Sequence, residues 1–271
     1  MNGKAFGEAL RARKTMIGTL VVSSAPNWVP VVAGMGLDYV FIDTEHIPID
    51  REPLSWMCHA YAAAGVAPLV RIPSPDPYEA SKVLDGGAAA ILAPYIETVE
   101  QVESLVGAVK HKPVKGKRLA EMISNPKTHP EQRAYAANTN AARSLLINIE
   151  STPAIEQLDK LLAVPGLDGI IIGPHDLSVS LGIPEQWTHP RFLAAVEQIL
   201  TAARAHGISA GIHQIYDGQN EQYSRWNQAG ANIVLHLADL LAFRFFMLRE
   251  LQAIRSIMGG GAPASSGEIH I

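Results

Sequence analysis

The chain alternates eight times between a short apolar run and a stretch with helical spacing, and this alternation most limits the folds open to it. The apolar runs are "MIGTLVVS" (16–23), "YVFIDTE" (39–45), "APLVRIP" (67–73), "AAILAPY" (89–95), "LLINIES" (145–151), "GIIIGPHDL" (169–177), "SAGIHQ" (209–214) and "NIVLHLADL" (232–240). Most are continuously apolar, the pattern of strands covered on both faces. Between them lie "DREPLSWMCHAYAAAG", "DPYEASKVLDGG", "TVEQVESLVGAVK", "TPAIEQLDKLLAV", "PRFLAAVEQILTAARAHG" and "DGQNEQYSRWNQAG". The first of these has acids at its start and Gly65 at its end, as helices do. Short turns such as "GLD", "GVA", "GIS" and "GAN" supply ordinary helix-to-strand loop chemistry.

Eight such units in 271 residues predict an α/β fold, a (β/α)8 TIM barrel in a single domain over residues 1–258. A doubly wound open sheet is the alternative, but it would more naturally carry a glycine-rich turn after its first strand, and "VVSSAPNW" is not one. An insert at about 111–141, "HKPVKGKRLAEMISNPKTHPEQRAYAANTN", is expected to form a loop and an extra helix over one mouth of the barrel. The Gly/Ser/Pro-rich tail at 259–271 is expected to be disordered.

Composition narrows the function classes. Hydrophobic residues make up 48%, enough for a sizeable core, and the formal net charge of −4 leaves no basic footprint for nucleic acid. Lysines gather at Lys110, Lys112, Lys115 and Lys117 without interleaved aromatics, which reads as a solvated loop. The single cysteine, Cys58, cannot form an internal disulfide and sits in an apolar helical pattern, so a reducing, cytoplasmic location is expected. No apolar leader core and no run of about 18 apolar residues is seen, so neither a signal peptide nor a membrane span is expected.

Barrel chemistry gathers at the C-terminal ends of the strands. There the chain sets Asp43, Glu45 and His46 after the second run, Arg71 in the third, Asn148 and Glu150 in the fifth, and His175 and Asp176 in the sixth. His213 follows in the seventh, and His236 and Asp239 in the eighth. Glu150 and Asp176 close adjacent strands. Such a pair can repel, share a proton or hold a cation, and oxygen ligands suit a hard ion such as Mg²⁺ or Mn²⁺. A divalent ion chelated by a 2-oxo acid acts as a Lewis acid on the enolate formed when a base removes a C3 proton. An arginine near the oxyanion adds to that, and a histidine, with an unperturbed pKa of about 6.5, can move the proton. Schiff-base chemistry needs a lysine at a strand end, and none falls there.

The ordered set "GLDYVFIDTEH", "PLVRIP", "VLDGGAAAILAPY", "NIES", "DGIIIGPHDLS" and "GAN" resembles the HpcH/HpaI class II pyruvate aldolases, over about residues 16–245. The resemblance implies a metal-dependent lyase that cleaves 4-hydroxy-2-oxo acids to pyruvate and an aldehyde, and runs the reverse addition. It implies Glu150 and Asp176 as ligands of Mg²⁺ or Mn²⁺, with Co²⁺ as a further candidate. His46 would be the base, acting directly or through water, with Asp85 orienting it and raising its basicity. Arg71 would steady the enolate oxygen. The backbone at Pro174, His175 and Asp176 would receive the pyruvate carboxylate, with Asn148 and His213 lining the substrate site, and Asp43 orienting metal-bound water.

Four departures from the family pattern touch the substrate side rather than the metal pair. Asn148 stands where Gln is usual, His175 where Ala is frequent, His213 where an apolar residue is frequent, and "KGKRLAEMI" replaces an RG-x-G loop. The apolar stretch "FRFFMLRELQAI" (243–254) suits a subunit contact, and the resemblance implies a homo-oligomer exchanging its last helix. Two other readings share the site: decarboxylation of oxaloacetate or cleavage of another 2-oxo acid, and a barrel that binds a small acid without turnover. A phosphosugar barrel is disfavoured, because "HQIYDGQN" after the seventh run offers no glycine-rich phosphate nest.

Overall fold

A computed structural model describes residues 1–215 and 220–259 of the chain. Eight parallel strands close into a barrel in sequence order. They are β1 (Met16–Leu20), β2 (Tyr39–Asp43), β3 (Ala67–Arg71), β4 (Ala90–Ala93), β5 (Ser144–Ile149), β6 (Gly169–Ile172), β7 (Ser209–Gln214) and β8 (Ile233–Ala238). Helices α1 (Gly3–Arg11), α2 (Trp28–Ala33), α3 (Arg51–Ala63), α4 (Pro77–Asp85) and α5 (Val99–Lys110) belong to the first half. Next come α6 (Gly116–Ser124), α7 (Pro130–Thr139), α8 (Thr152–Glu156), α9 (Leu158–Leu162) and α10 (Pro174–Ser180). Helices α11 (Pro190–Ala205), α12 (Gln222–Ala229) and α13 (Asp239–Met258) complete the set. The tail expected to be disordered lies, from residue 260 onward, outside the described residues.

Period-two alternation along each strand divides the apolar residues into two cores. Val40, Ile42, Val70, Ile91, Ile147, Ile149, Ile170 and Ile172 face the helices. Tyr39, Phe41, Leu69, Leu92, Leu146, Ile171, Ile233 and Leu235 fill the bore. Each fully buried aliphatic or aromatic side chain contributes about 1.5–3 kcal/mol. Helix α1 closes the end where the strands begin, with Phe6 and Leu10 joining the bore core and the Phe6 ring 5.6 Å from Tyr39. The bore is full because Gly18 leaves room for a ring. A Cβ there would stand 2.5 Å from Tyr39, whose hydroxyl donates to the Val234 carbonyl at 2.9 Å.

The same alternation places the polar residues. Positions 39 and 41 face inward, so Asp43 does too; after 67 and 69 comes Arg71; after Leu146 come Asn148 and Glu150. The inward rows are apolar through the bore apart from Ser144 and Ser209 where β5 and β7 begin, and they carry their charged groups at the end where the strands finish.

The insert forms two helices, α6 and α7, and it does not lie over that polar end. Helix α5 runs antiparallel to the strands and returns the chain to their starting end, where β5 begins. Leu119 and Ile123 of α6 pack against Gly107 late in α5, and the Asn140 amide donates to the carbonyls of Lys110 and Lys112. The altered "KGKRLAEMI" segment is therefore remote from the substrate side of its own barrel, contrary to the expectation from sequence. Among the described residues no helix is long and apolar enough to cross a membrane.

Candidate active site

The polar end is organised around Arg71. Its Nε donates to Asp43 Oδ1 at 2.8 Å and its Nη2 to Oδ2 at 2.5 Å, the two-pronged geometry in which a guanidinium matches a carboxylate. Glu45 Oε2 stands 3.0 Å from the same Nε, and the guanidinium lies over the Phe41 ring at 5.5 Å. Burial alone would raise the Asp43 carboxyl, but hydrogen bonding and attraction from Arg71 outweigh it and hold the group below the usual carboxylate range. Asp43 thus anchors the arginine.

Glu150 follows β5 directly and is 5% exposed. Its Oε1 accepts the Tyr95 N–H at 2.8 Å, while Oε2 is buried with no hydrogen-bond partner among the described residues. Burial pushes the Glu150 carboxyl up to about 7; the Tyr95 N–H opposes the rise and the nearby Asp176 charge reinforces it. Asp176 lies in the first turn of α10, where Pro174 takes a position whose missing N–H costs nothing. The two acids line one cleft of about 340 Å³ with Tyr95, Glu97, Ser151, Val179 and Ser180. Asn148 donates to the Ile171 carbonyl at 2.9 Å, leaving its buried Oδ1 unpartnered.

These features fit a hard divalent cation. A buried carboxylate with an empty oxygen, beside a second carboxylate and a bare amide oxygen, is a costly arrangement in the absence of positive charge. Gly173 leaves the space, since a Cβ there would stand 2.4 Å from Glu150 Oε2. No set of three or more His, Cys, Asp or Glu able to hold a metal forms among the described residues. The pair therefore supplies part of an oxygen shell, as in Mg²⁺ sites that are completed by water and substrate.

His46 sits at the rim, half exposed, with Nε2 3.8 Å from Glu45 Oε1. Asp85 is not near it. Asp85 ends α4, at the end where strands begin, is 63% exposed, and is paired with Lys112 and, at 3.9 Å, with Arg143. A helix that follows a strand runs back down the barrel, so its last residue cannot reach the strand's own C-terminal end. Within one chain the structure thus does not bring together the expected His46–Asp85 pair. His175 turns outward, with Nδ1 3.6 Å from Glu185 Oε1 and its ring 6.5 Å from Trp187.

His213 lies in the floor beneath the mouth. Its Nε2 donates to the Leu237 carbonyl at 3.1 Å and its ring meets Phe41 edge-on at 5.8 Å. Burial pushes it down to about 4, so it is a neutral fixture of the floor near neutral pH. Glu45, quoted from the sequence beside Asp43 and His46, continues the inward row of Tyr39, Phe41 and Asp43 and pairs with Arg71, whereas sequence reasoning assigned nothing to Tyr95. The left-handed backbone of Tyr95, φ +55, had no sequence signal, because tyrosine rarely adopts it.

A larger hollow, about 630 Å³, opens between Pro113, Lys115, Arg118, Glu131 and Tyr135. It lies among exposed side chains of the insert and has no buried carboxylate pair.

A family profile described as HpcH/HpaI aldolase/citrate lyase matches residues 17–236. A 2-keto-3-deoxy-L-rhamnonate aldolase from Salmonella typhi is 32% identical over 260 residues, covering 92% of this chain and 94% of that protein. The crystal structure of an HpcH/HpaI aldolase from Desulfitobacterium hafniense DCB-2 superimposes with a TM-score of 0.78 at 28% identity, over 92% of this chain and 95% of the other. An HpcH/HpaI aldolase/citrate lyase family protein from Burkholderia cenocepacia J2315 gives a TM-score of 0.79 at 26% identity, over 93% and 99%. With the match running from β1 into β8, the chain belongs to the HpcH/HpaI aldolase/citrate lyase family.

Proposed function

We propose that this carbon–carbon lyase cleaves a 4-hydroxy-2-oxo acid into pyruvate and an aldehyde, and runs the reverse addition, with Glu150 and Asp176 holding a divalent cation. Class II aldolases of the family are generally dependent on divalent metal. The observation that carries the reading is the buried, unpartnered Glu150 Oε2, on a side chain that lines one cleft with Asp176. The name of the Salmonella typhi relative, an aldolase of a 2-keto-3-deoxy sugar acid, supports the substrate class.

The cation, Mg²⁺ or Mn²⁺ with Co²⁺ as a further candidate, supplies Lewis acidity at the oxo acid when bound. The other roles belong to the chain. In cleavage His46 takes the C4 hydroxyl proton, directly or through water. The C3–C4 electron pair stays with the oxo acid as the pyruvate enolate, the aldehyde departs, and the proton is returned to C3. Arg71, gripped on one edge by Asp43 and Glu45, offsets charge on the enolate oxygen. The first-turn amides of α10 at His175 and Asp176, beside Pro174, have no carbonyl to bond within their helix and suit the pyruvate carboxylate. The Asn148 amide and His213 complete the walls, the latter as a spectator in proton transfer.

The protein acts as a homo-oligomer that exchanges α13. Leu240, Phe243, Phe246 and Ile254 stand exposed on that helix, while Ile17, on the outer face of β1, is 47% exposed where a barrel strand is normally covered. A second copy's helix would cover both surfaces. The unpaired, buried Cys58 accords with the cytoplasm.

The test is turnover of 4-hydroxy-2-oxo acids with and without EDTA. Wild-type activity should vanish with EDTA and return with Mn²⁺ or Mg²⁺, while Glu150→Gln and Asp176→Asn stay folded by circular dichroism and inactive with either ion. Full activity of either variant in EDTA refutes the reading.

A further inference from the structure

The proposed reaction leaves the Tyr95 side chain without a task. The residue follows β4 by two positions, as Glu45 follows β2, and β3 with its terminal Arg71 lies between those strands. The phenol lies beside the Glu45 carboxylate and within reach of the Asp176 and Glu150 charges. It therefore spans the end of β3, on the solvent side of Arg71. The exposures agree, at 50% for Tyr95 and 12% for the Arg71 side chain. The backbone fixes where the ring leaves the chain: the Tyr95 N–H donates to Glu150 Oε1 at 2.8 Å, and φ is +55, a conformation tyrosine rarely takes. Two serines line the cleft with Tyr95, and both hydroxyls are engaged. Ser151 donates to Glu97 Oε1 at 2.6 Å, while Ser180 accepts the Thr152 N–H at 3.0 Å and meets its hydroxyl at 3.3 Å. Glu97, Glu150 and Asp176 offer only acceptors when ionised. The phenol is the donor that remains, and Glu45 beside it pushes it up to about 12, so it keeps its proton at neutral pH.

We propose that Tyr95 contacts the aldehyde half of the substrate, its phenol donating a hydrogen bond to the C4 oxygen while Arg71 beneath it meets the enolate oxygen of the pyruvate half. In cleavage the C4 hydroxyl gives its proton to His46 and becomes the aldehyde carbonyl. A neutral donor on that oxygen offsets the charge that grows there, and itself neither gains nor loses a proton. In the reverse addition the same bond turns the aldehyde carbonyl toward the enolate. The inference rests on the aldolase reading of the site. Forming the enolate needs no aldehyde, so a residue that serves only the aldehyde half can be told from one that serves the cation or the enolate.

The experiment runs two reactions on the full-length protein with Mn²⁺. Deuterium uptake at C3 of pyruvate, followed by NMR without aldehyde, reads the enolate half alone. Addition of pyruvate to whichever of glycolaldehyde, glyceraldehyde and propanal the wild type uses fastest reads both halves. Tyr95→Phe keeps the ring and the N–H on Glu150 and removes only the hydroxyl. It should lower kcat/KM for the aldehyde by about tenfold or more, the scale of a hydrogen bond lost from the transition state. Exchange, and Mn²⁺ affinity by titration calorimetry, should stay within about twofold of wild type, and normal exchange in the same sample shows that the variant is folded. A parallel fall in exchange and addition overturns the inference, because it moves Tyr95 to the enolate or the cation. A wild type that exchanges no C3 proton, or adds none of the three aldehydes, overturns the aldolase reading and the inference with it. Wild-type exchange and addition beside a Tyr95→Phe protein that adds aldehyde within about twofold of wild type overturns the inference alone.

Discussion

Gly173→Ala separates the cation site from the stability of the barrel. Gly173 has φ −82 and ψ 99, ordinary extended backbone, so alanine meets no conformational penalty there. Loss of glycine's freedom in the unfolded chain should even favour folding by about 0.4–1 kcal/mol. The new methyl would nevertheless stand 2.4 Å from Glu150 Oε2 and 3.1 Å from Glu150 Cβ, whereas ordinary contact begins at 3.4 Å. The carboxylate oxygen must retreat by about 1 Å, five times the roughly 0.2 Å tolerance of a metal–ligand distance. A ligand bond of about 2.1 Å to Mg²⁺ cannot survive that shift. We expect Mn²⁺ and Mg²⁺ affinity to fall by at least about tenfold, or 1.4 kcal/mol, with turnover falling alongside it. The urea midpoint should stay at or slightly above that of wild type. Titration calorimetry with Mn²⁺ and denaturation on the same sample supply both numbers. Unchanged affinity in a folded Gly173→Ala protein would refute the claim that the Glu150 oxygen beside Gly173 grips the cation.

Three further outcomes follow from the geometry. Arg71→Ala leaves Asp43 and Glu45 buried without their counter-ion and should destabilise by about 3–5 kcal/mol in urea denaturation, and a loss below about 1 kcal/mol contradicts the ion-cluster description. His213, pushed down to about 4, binds no proton in the folded protein at pH 5, whereas the unfolded imidazole, near 6.5, does. Its share of stability is therefore whole above about pH 6.5 and drains as pH falls toward about 4. Wild type should lose about 2 kcal/mol more than His213→Gln between pH 7 and pH 5, and equal losses refute the buried, neutral assignment. Replacing Phe243 and Phe246 by Asp should shrink the assembly seen by sedimentation, and a wild type that sediments as a monomer at micromolar concentration overturns the exchanged-helix reading.

The barrel was legible because its strands are continuous apolar runs, and the mistakes concentrate where chain direction or a special dihedral decides. The run at 169–177 was read as one strand, but β6 stops at Ile172 because Pro174 opens α10. "TPAIEQLDKLLAV" was read as one helix and breaks at Gln157, whose φ −102 and ψ 6 separate α8 from α9. The insert became two helices rather than one, started by Gly116 and Pro130. Among the candidate site residues, the inward alternation of β2, β3 and β5 leads to Asp43, Arg71 and Glu150. The direction of α4 puts Asp85 at the far end of its own barrel, so within one chain it does not meet His46. The Tyr95 N–H on Glu150, set by a left-handed backbone after β4, needs coordinates.

The stoppered bore has a consequence for traffic. With Tyr39, Phe41, Leu69 and Leu146 filling the axis and Phe6 and Leu10 shutting the far end, nothing the size of a small acid can pass through. Reactants and products share one doorway. The fragment nearer the rim has to clear it before the deeper one can follow.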